Sequence, residues 1–261
     1  MNIKKEAEKL YGLLQLENRV VGVKFVYTKE DYDAFAAQEC IRPIAYCCAV
    51  RAATKGHSVK ITKDTAGCEG SNKSIGFVEA PEDFFNGKTG KRLGLYGTEE
   101  IAAKVSQAVP MMPMGTYGII TKPLEFFEQE PQVVLIVCNA REMMRVIQGY
   151  TYTYGLADRL SFSGNRAVCV ESTVTPILTD RINVSVLCGG TRYRARWTDH
   201  DMMIGIPISK LHGVVEGILQ TVNPMELDWR KQEIENSLRK TGNLDIDIIY
   251  GKTYFKNWES R

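Results

Sequence analysis

The six-residue run from Val133 to Cys138, VVLIVC, contains no polar side chain. A strand with one face in water alternates apolar and polar residues. An unbroken apolar run therefore fits a strand covered on both faces. That demand places other elements on either side of a sheet and points to an α/β or α+β fold. The flanking sequence agrees. Asn139 followed by Glu142 reads as a capping box. It opens a helix with Met143, Ile147, Tyr150 and Tyr154 on one face and Gly155 as its stop. Further strands are expected over 20–27, 166–173, 181–190 and 202–208, where β-branched residues dominate. Amphipathic periodicity predicts a helix near the N-terminus carrying Ile3, Ala7, Leu10 and Leu14. Others are expected from Pro43 to about Lys55, from Thr98 to Val109, from Ser209 to Val222 and over 225–240. The glycine-spotted stretch 64–77 reads as a loop leading into a short strand near 74–79. The segment 110–120, with three methionines, reads as a core-filling loop or an adaptable pocket wall. The stretch 245–255 alternates like a closing strand or hairpin.

These elements predict a single domain over 1–261, a mixed sheet with flanking helices. The order strand, helix, glycine, cysteine occurs twice, through Gly56 and Cys68 and again through Gly155 and Cys169. It suggests two pseudo-repeated halves, 15–125 and 126–222, followed by a helix-hairpin over 225–258. Hydrophobic residues are 44% and charged residues 25%, which excludes a disordered or low-complexity chain. Lys+Arg is 33 against Asp+Glu of 31. That balance argues against a nucleic-acid binder or a membrane-surface binder. No apolar stretch reaches the ~18 residues of a membrane span. The first residues lack the apolar core of a secretory signal. The expected location is cytoplasmic.

There are seven cysteines. An odd number in a reducing compartment makes a poor disulfide framework. Cys68 and Cys188 stand beside glycine, and Cys48 sits on the helix that Pro43 opens. Glycine beside cysteine lets backbone N–H groups approach a sulfur or a bound anion. Cys169 lies in an expected strand that can pair with the one bearing Cys188. These four are the candidate metal ligands. Thiolates suit an iron–sulfur cluster, and with His57 or His200 they suit zinc. There is no compact CxxC pair, so the ligands would be gathered from distant points. Cys47 and Cys48 point about 100° apart on a helix, so one of them should face a given site. Cys138, ending an apolar strand, reads as core, as free cysteines often are. Cys40 has no distinguishing context.

In RYRARW, an extended backbone would put Arg192, Arg194 and Arg196 on one face, where guanidinium forks could hold a carboxylate or phosphate. Arg192 and Arg194 are the candidate substrate-binding pair. The alternative is a solvated face paired with carboxylates. Tyr150 and Tyr154 could line a ligand pocket, although aromatic faces at helical spacing usually pack in a core. His200, between Asp199 and Asp201, reads as a proton carrier or an exposed turn residue. There is no Walker A motif, no dinucleotide fingerprint, no GxSxG and no HExxH.

Taken together, VVGVKF, AYCCAVRAATKG, CEGSNKSIGF, PQVVLIVCNAREMMRVIQGYTYTYG and CGGTRYRARWTDHDMMIGIP resemble the archaeal and bacterial family labelled domain of unknown function 169, or ArCR. The resemblance runs from about Leu14 to Gly217. It implies a single-domain cytosolic protein of a kind common in anaerobes and methanogens. It also implies that Cys48, Cys68 and Cys188 occupy family positions, while Cys40 and Cys47 are peculiar to this sequence. The leading functional expectation is a cysteine-ligated [4Fe–4S] protein acting as an enzyme on a small anionic molecule, by lyase, desulfuration or redox chemistry. The alternatives are a zinc protein using the same thiols, a metal-free small-molecule binder, and a thiol-redox protein. No nucleic-acid or membrane partner is expected. The 81–97 stretch and the C-terminal hairpin are the surfaces a homo-oligomer would use.

Overall fold

A computed structural model describes residues 1–255. The run Val133–Cys138 forms β5, with all six residues buried. It lies inside a seven-stranded sheet of order β2-β3-β4-β1-β5-β7-β6. The other strands are β1 (Val21–Val26), β2 (Gln38–Glu39), β3 (Val59–Thr62), β4 (Gly118–Pro123), β6 (Asn183–Ser185) and β7 (Met202–Pro207). Neighbours are antiparallel except β2 and β3, so the sheet is mixed. The register pairs Val133 with Pro207 and Cys138 with Met202. Side chains of β5 alternate as the pleat requires. Val133, Leu135 and Val137 enter one core, and Val134, Ile136 and Cys138 enter the other.

In chain order the helices are α1 (Ile3–Leu14), α2 (Lys29–Asp33), α3 (Tyr46–Thr54), α4 (Glu69–Ser74), α5 (Glu82–Phe85), α6 (Lys88–Arg92) and α7 (Glu99–Ala108). They continue as α8 (Ala140–Tyr154), α9 (Thr175–Thr179), α10 (Gly189–Ala195), α11 (Ile208–Gln220), α12 (Val222–Met225) and α13 (Asp228–Thr241). The fold is a single α+β domain. One face of the sheet is covered by α1, α8, α11 and α13. On that face α8 and α11 nearly touch. A Cβ on Gly217 would stand 2.1 Å from the Gly149 carbonyl oxygen. The other face is covered by α3, α10 and a π-helix over Ala167–Val174. No helix of the described residues is long and apolar enough to cross a membrane.

The expected strand at 166–173 is this π-helix. Its valines favour extended backbone in isolation, but polar ties decide otherwise. The Glu171 carboxylate accepts from the backbone N–H groups of Ser163 and Gly164 and from the Ser185 hydroxyl. Asn183 Nδ2 donates to the Glu171 carbonyl, and Thr173 Oγ1 donates to the Val168 carbonyl. The π-helix backbone rests directly on β7, where a Cβ on Gly205 would lie 1.8 Å from the Ser172 carbonyl oxygen.

Other local expectations change for similar reasons. The residues expected as a strand near 74–79 include the end of α4 and the turn that follows it, and RYRARW lies largely in α10 rather than in extended chain. β4 grows out of the end of the methionine-rich stretch and pairs with β1 and β3. The stretch 245–255 forms no strand. Lys231, fully buried, anchors it by donating to the carbonyls of Ile249 and Lys252. The last three residues of the expected helix-hairpin lie outside the described residues. Of the two echoed helices, α3 packs on one face of the sheet and α8 on the other.

Candidate functional site: a cysteine-lined cavity

Four segments far apart in sequence deliver cysteines to one cavity of about 190 Å³. Cys47, Cys68, Cys169 and Cys188 line it, together with Arg166 and Arg194. A water's share of liquid volume is about 30 Å³, so the space takes a group of several heavy atoms.

Each cysteine is placed by local backbone. Cys47 lies in the first turn of α3, whose phase is fixed by the Tyr46 hydroxyl, 2.9 Å from Thr173 Oγ1 on the π-helix. Cys68 is the N-cap of α4 and makes no side-chain capping bond. The segments leading into α3 and α4 are joined by a bridge between Ile44 and Ala66, and Gly67 N donates to the Ile44 carbonyl. A Cβ on Gly67 would meet the Pro43 carbonyl carbon at 3.2 Å, so the two segments pass in tight contact. Cys169 is in the π-helix, an element frequent at functional sites. Cys188 is the N-cap of α10, with Thr191 N 3.4 Å and Thr191 Oγ1 3.1 Å from its sulfur.

The backbone is strained beside the site. Arg166 and Leu187 hold φ of 57° and 65°, a region costly for a side chain of either size. They immediately precede the π-helix and Cys188.

The thiols feel one another. Burial pushes Cys169 up to about 12, and the Cys188 and Cys68 sulfurs add to the rise. The Ser71 hydroxyl and the Arg166 guanidinium oppose it. The neighbouring Cys47 and Cys48 thiols act on one another, which raises Cys47, the more buried, and lowers Cys48 to about 7, with help from the Ala45 backbone and Arg194. Arg166 stacks over the Phe84 ring at 4.4 Å, and its Nη1 has no hydrogen-bond partner. The buried Ser71 Oγ also lacks a partner of ordinary geometry. Arg194 donates to the Gly67 carbonyl at 3.3 Å.

The residues expected from sequence divide clearly. Cys68, Cys169 and Cys188 meet in the cavity. Cys48 lies beside it, and its neighbour Cys47 takes the lining position. Arg194 lines the cavity, whereas Arg192 spends its guanidinium on the carbonyls of Val186, Thr198 and Asp201. Tyr150 and Tyr154 lie across the sheet with the other core, Tyr150 buried and Tyr154 donating to the Lys210 carbonyl. His57 and His200 are exposed and outside the lining. Cys138 is buried in the opposite core. Cys47, Ser71 and Arg166 were not foreseen. Arg166 gave no signal, because a strand reading of 166–173 leaves it an ordinary edge residue.

Among the described residues, no three His, Cys, Asp or Glu groups are drawn close enough to grip a single ion. The donors lining the cavity are sulfur without imidazole or carboxylate. Soft thiolates of this kind favour iron–sulfur clusters, zinc or copper(I) over hard cations.

The sequence profile of an uncharacterised family, ArCR, matches residues 9–217, a span that contains all four cavity cysteines. An uncharacterised protein of Methanocaldococcus jannaschii is 25% identical over 222 residues, covering 83% of this chain and 93% of its own. No solved structure matches.

Proposed function

The chain belongs to the uncharacterised ArCR family, which lends it no activity, and we propose from its own residues that it is a cysteine-ligated iron–sulfur protein acting on a small anionic molecule. The observation that supports this reading is the convergence of Cys47, Cys68, Cys169 and Cys188 on one cavity beside two arginines. A tetrahedral zinc ion with Zn–S near ~2.3 Å needs its sulfurs about 3.8 Å apart. A [4Fe–4S] cluster binds each thiolate to a different iron, so its ligands stand farther apart. The lining offers four sulfurs and neither imidazole nor carboxylate.

The ligands would be Cys68, Cys169 and Cys188, with Cys47 or its neighbour Cys48 from α3. When bound, the cluster supplies electron transfer if every iron is thiolate-ligated, or an open Lewis-acidic iron if one ligand yields. The chain's own residues do the rest. Arg166 and Arg194 place positive charge at the cavity wall, which offsets the charge of the thiolates and draws an anion toward them. Burial excludes bulk water and strengthens those interactions. Cys169 and Cys47, held protonated in the metal-free cavity, must each release a proton on ligation, so metal uptake rises with pH.

Anaerobic purification tests the reading. The expected product is brown, absorbs at about 400 nm, and carries about four iron and four acid-labile sulfide per chain. Cys68→Ser and Cys188→Ser should each lose most of that iron. Colourless, iron-free protein after anaerobic reconstitution overturns the reading. One zinc per chain without sulfide replaces it with the zinc alternative.

A further inference from the structure

The register of the sheet brings three connecting segments to one end of it. Val21 at the start of β1 pairs with Leu135 near the end of β5, and Met202 at the start of β7 pairs with Cys138. Residues 15–18, 139–142 and 198–201 therefore meet beyond the end of β5. Arg19 N, donating to the Thr54 carbonyl, brings up the last turn of α3. Between them lies a second cavity, of about 330 Å³, the space of roughly ten waters. Val137 and Cys138, which belong to opposite cores, both line it, so it opens at the end of the sheet. It shares no lining residue with the thiol cavity.

Its charges are sorted by element. Both cations, Arg51 and Lys55, come from the end of α3, one turn apart. Both donate to Asn18 Oδ1, at 3.5 Å and 3.1 Å, so two cations converge on one neutral amide oxygen. Among the described residues neither meets a carboxylate at ion-pair distance; Arg51 lies over the Trp197 ring instead. Like charges at this helical spacing repel. The C-terminal end of a helix attracts cations, but its dipole gives no reason for two heads to share one acceptor. The carboxylates come from the other three segments, as Glu17, Glu142 and Asp201. Glu142 spends its oxygens on Asn139 N and Nδ2, and Asp201 gives Oδ2 to Thr198 N. Glu17 and Asp201 Oδ1 keep the free acceptor capacity. Burial lifts the Glu142 carboxyl and the Glu17 charge adds to the rise, against the pull of the Asn139 backbone and Arg141. His200, exposed, completes the polar lining.

We propose that this cavity binds a free amino acid with a basic side chain, its carboxylate held by Arg51 and Lys55 and its ammonium groups by Glu17, Asp201 and Glu142. A carboxylate accepts from a guanidinium fork and a lysine head at once, which relieves the repulsion between them. Three carboxylates against two cations leave the lining one negative charge in excess while His200 is neutral. A ligand with two ammonium groups and one carboxylate supplies the opposite charge. A neutral amino acid leaves the excess uncancelled, and an acidic one adds to it. The cavity is large enough for such a molecule with a few ordered waters. The site stands apart from the thiol cavity and needs no metal there.

The test is calorimetric titration of metal-free protein with free lysine and ornithine at about pH 8, where an ordinary imidazole is neutral. Both should bind. Lysinamide, which lacks the carboxylate, and norleucine, which lacks the side-chain amine, should each bind at least about tenfold more weakly than lysine. Lys55→Gln and Arg51→Gln should weaken lysine several-fold without weakening lysinamide, and Arg51→Lys should keep part of the affinity. Glu17→Gln and Asp201→Asn should weaken lysine without weakening norleucine. A merely structural role for these side chains would lower all the ligands together. Lys55 and Glu17 are exposed, so their variants decide if Arg51→Gln does not fold. No binding of lysine or ornithine overturns the proposal. Lysinamide or norleucine binding as tightly as lysine overturns it too, and so does glutamate doing the same.

Discussion

The α3 pair shows what a single residue's environment does to a thiol. Cys47 and Cys48 are adjacent and chemically identical, yet one is driven up and the other down. Cys48 is less buried and lies near Arg194, so its thiolate is the favoured one. The thiolate is the nucleophile. In metal-free protein, iodoacetamide should therefore label Cys48 first, with a half-maximal rate near pH 7. Below that pH the thiol is protonated and slow; above it the rate levels off. Arg194→Gln removes a charge that favours the thiolate and should move the midpoint upward. Mass-spectrometric mapping after short labelling across pH 5 to about 9 reads this directly. Fastest labelling at Cys68 or Cys188 would contradict it. Helical geometry alone predicts that only one of the pair faces a site. Which one depends on how α3 is rotated, and the Tyr46–Thr173 contact fixes that across 127 residues of sequence.

Among the elements, the π-helix departs most from its sequence. RAVCVEST carries three β-branched residues, Val168, Val170 and Thr173, and nothing local forbids a strand. Contacts made later in the chain, with Ser185 and Asn183, hold it as a helix against β7. Gly205 is the position that allows this approach. Gly205→Ala drives a methyl group into the Ser172 carbonyl and should destabilise the protein by about 3 kcal/mol or more, as overpacking against backbone does. Gly217→Ala meets the Gly149 carbonyl on the opposite face and should cost a similar amount. Urea denaturation measures both. Only the first moves the element bearing Cys169, so iron retained per folded chain should fall for Gly205→Ala and hold for Gly217→Ala. Equal retention by the two variants would separate the π-helix from the site. The capped elements were easier to read. The Asn139–Glu142 box and the Thr98 cap form as their sequences specify, because a cap is a bond between near neighbours.

For the molecule as a whole, the sheet is a partition. Tyr150, Tyr154 and Cys138 fall on one side; the cysteine cavity falls on the other. A group bound by four thiols would tie together α3, α4, the π-helix and α10, which are otherwise joined by loops and side-chain contacts. Binding to the native state alone raises apparent stability in proportion to the logarithm of ligand excess. Iron-loaded protein should accordingly melt at least about 5 °C above metal-free protein in anaerobic calorimetry, the shift expected for about 2 kcal/mol or more in a chain of this size. Tyr154→Phe should leave that difference unchanged. Identical melting of loaded and metal-free protein would mean that the thiols do not share a ligand.

By itself the sequence determined the doubly covered strand, the caps and the terminations of the long helices. Each of these follows from burial or hydrogen bonding within a few residues of chain. The rotation of α3, the π-helical course of 167–174, the diversion of Arg192 to carbonyls and the meeting of Cys47, Cys68, Cys169 and Cys188 were decided by tertiary structure. The first and last of these depend on groups more than a hundred residues apart, and the other two on partners within about fifteen residues whose hydrogen bonds follow no helical or strand period, so no local pattern records them.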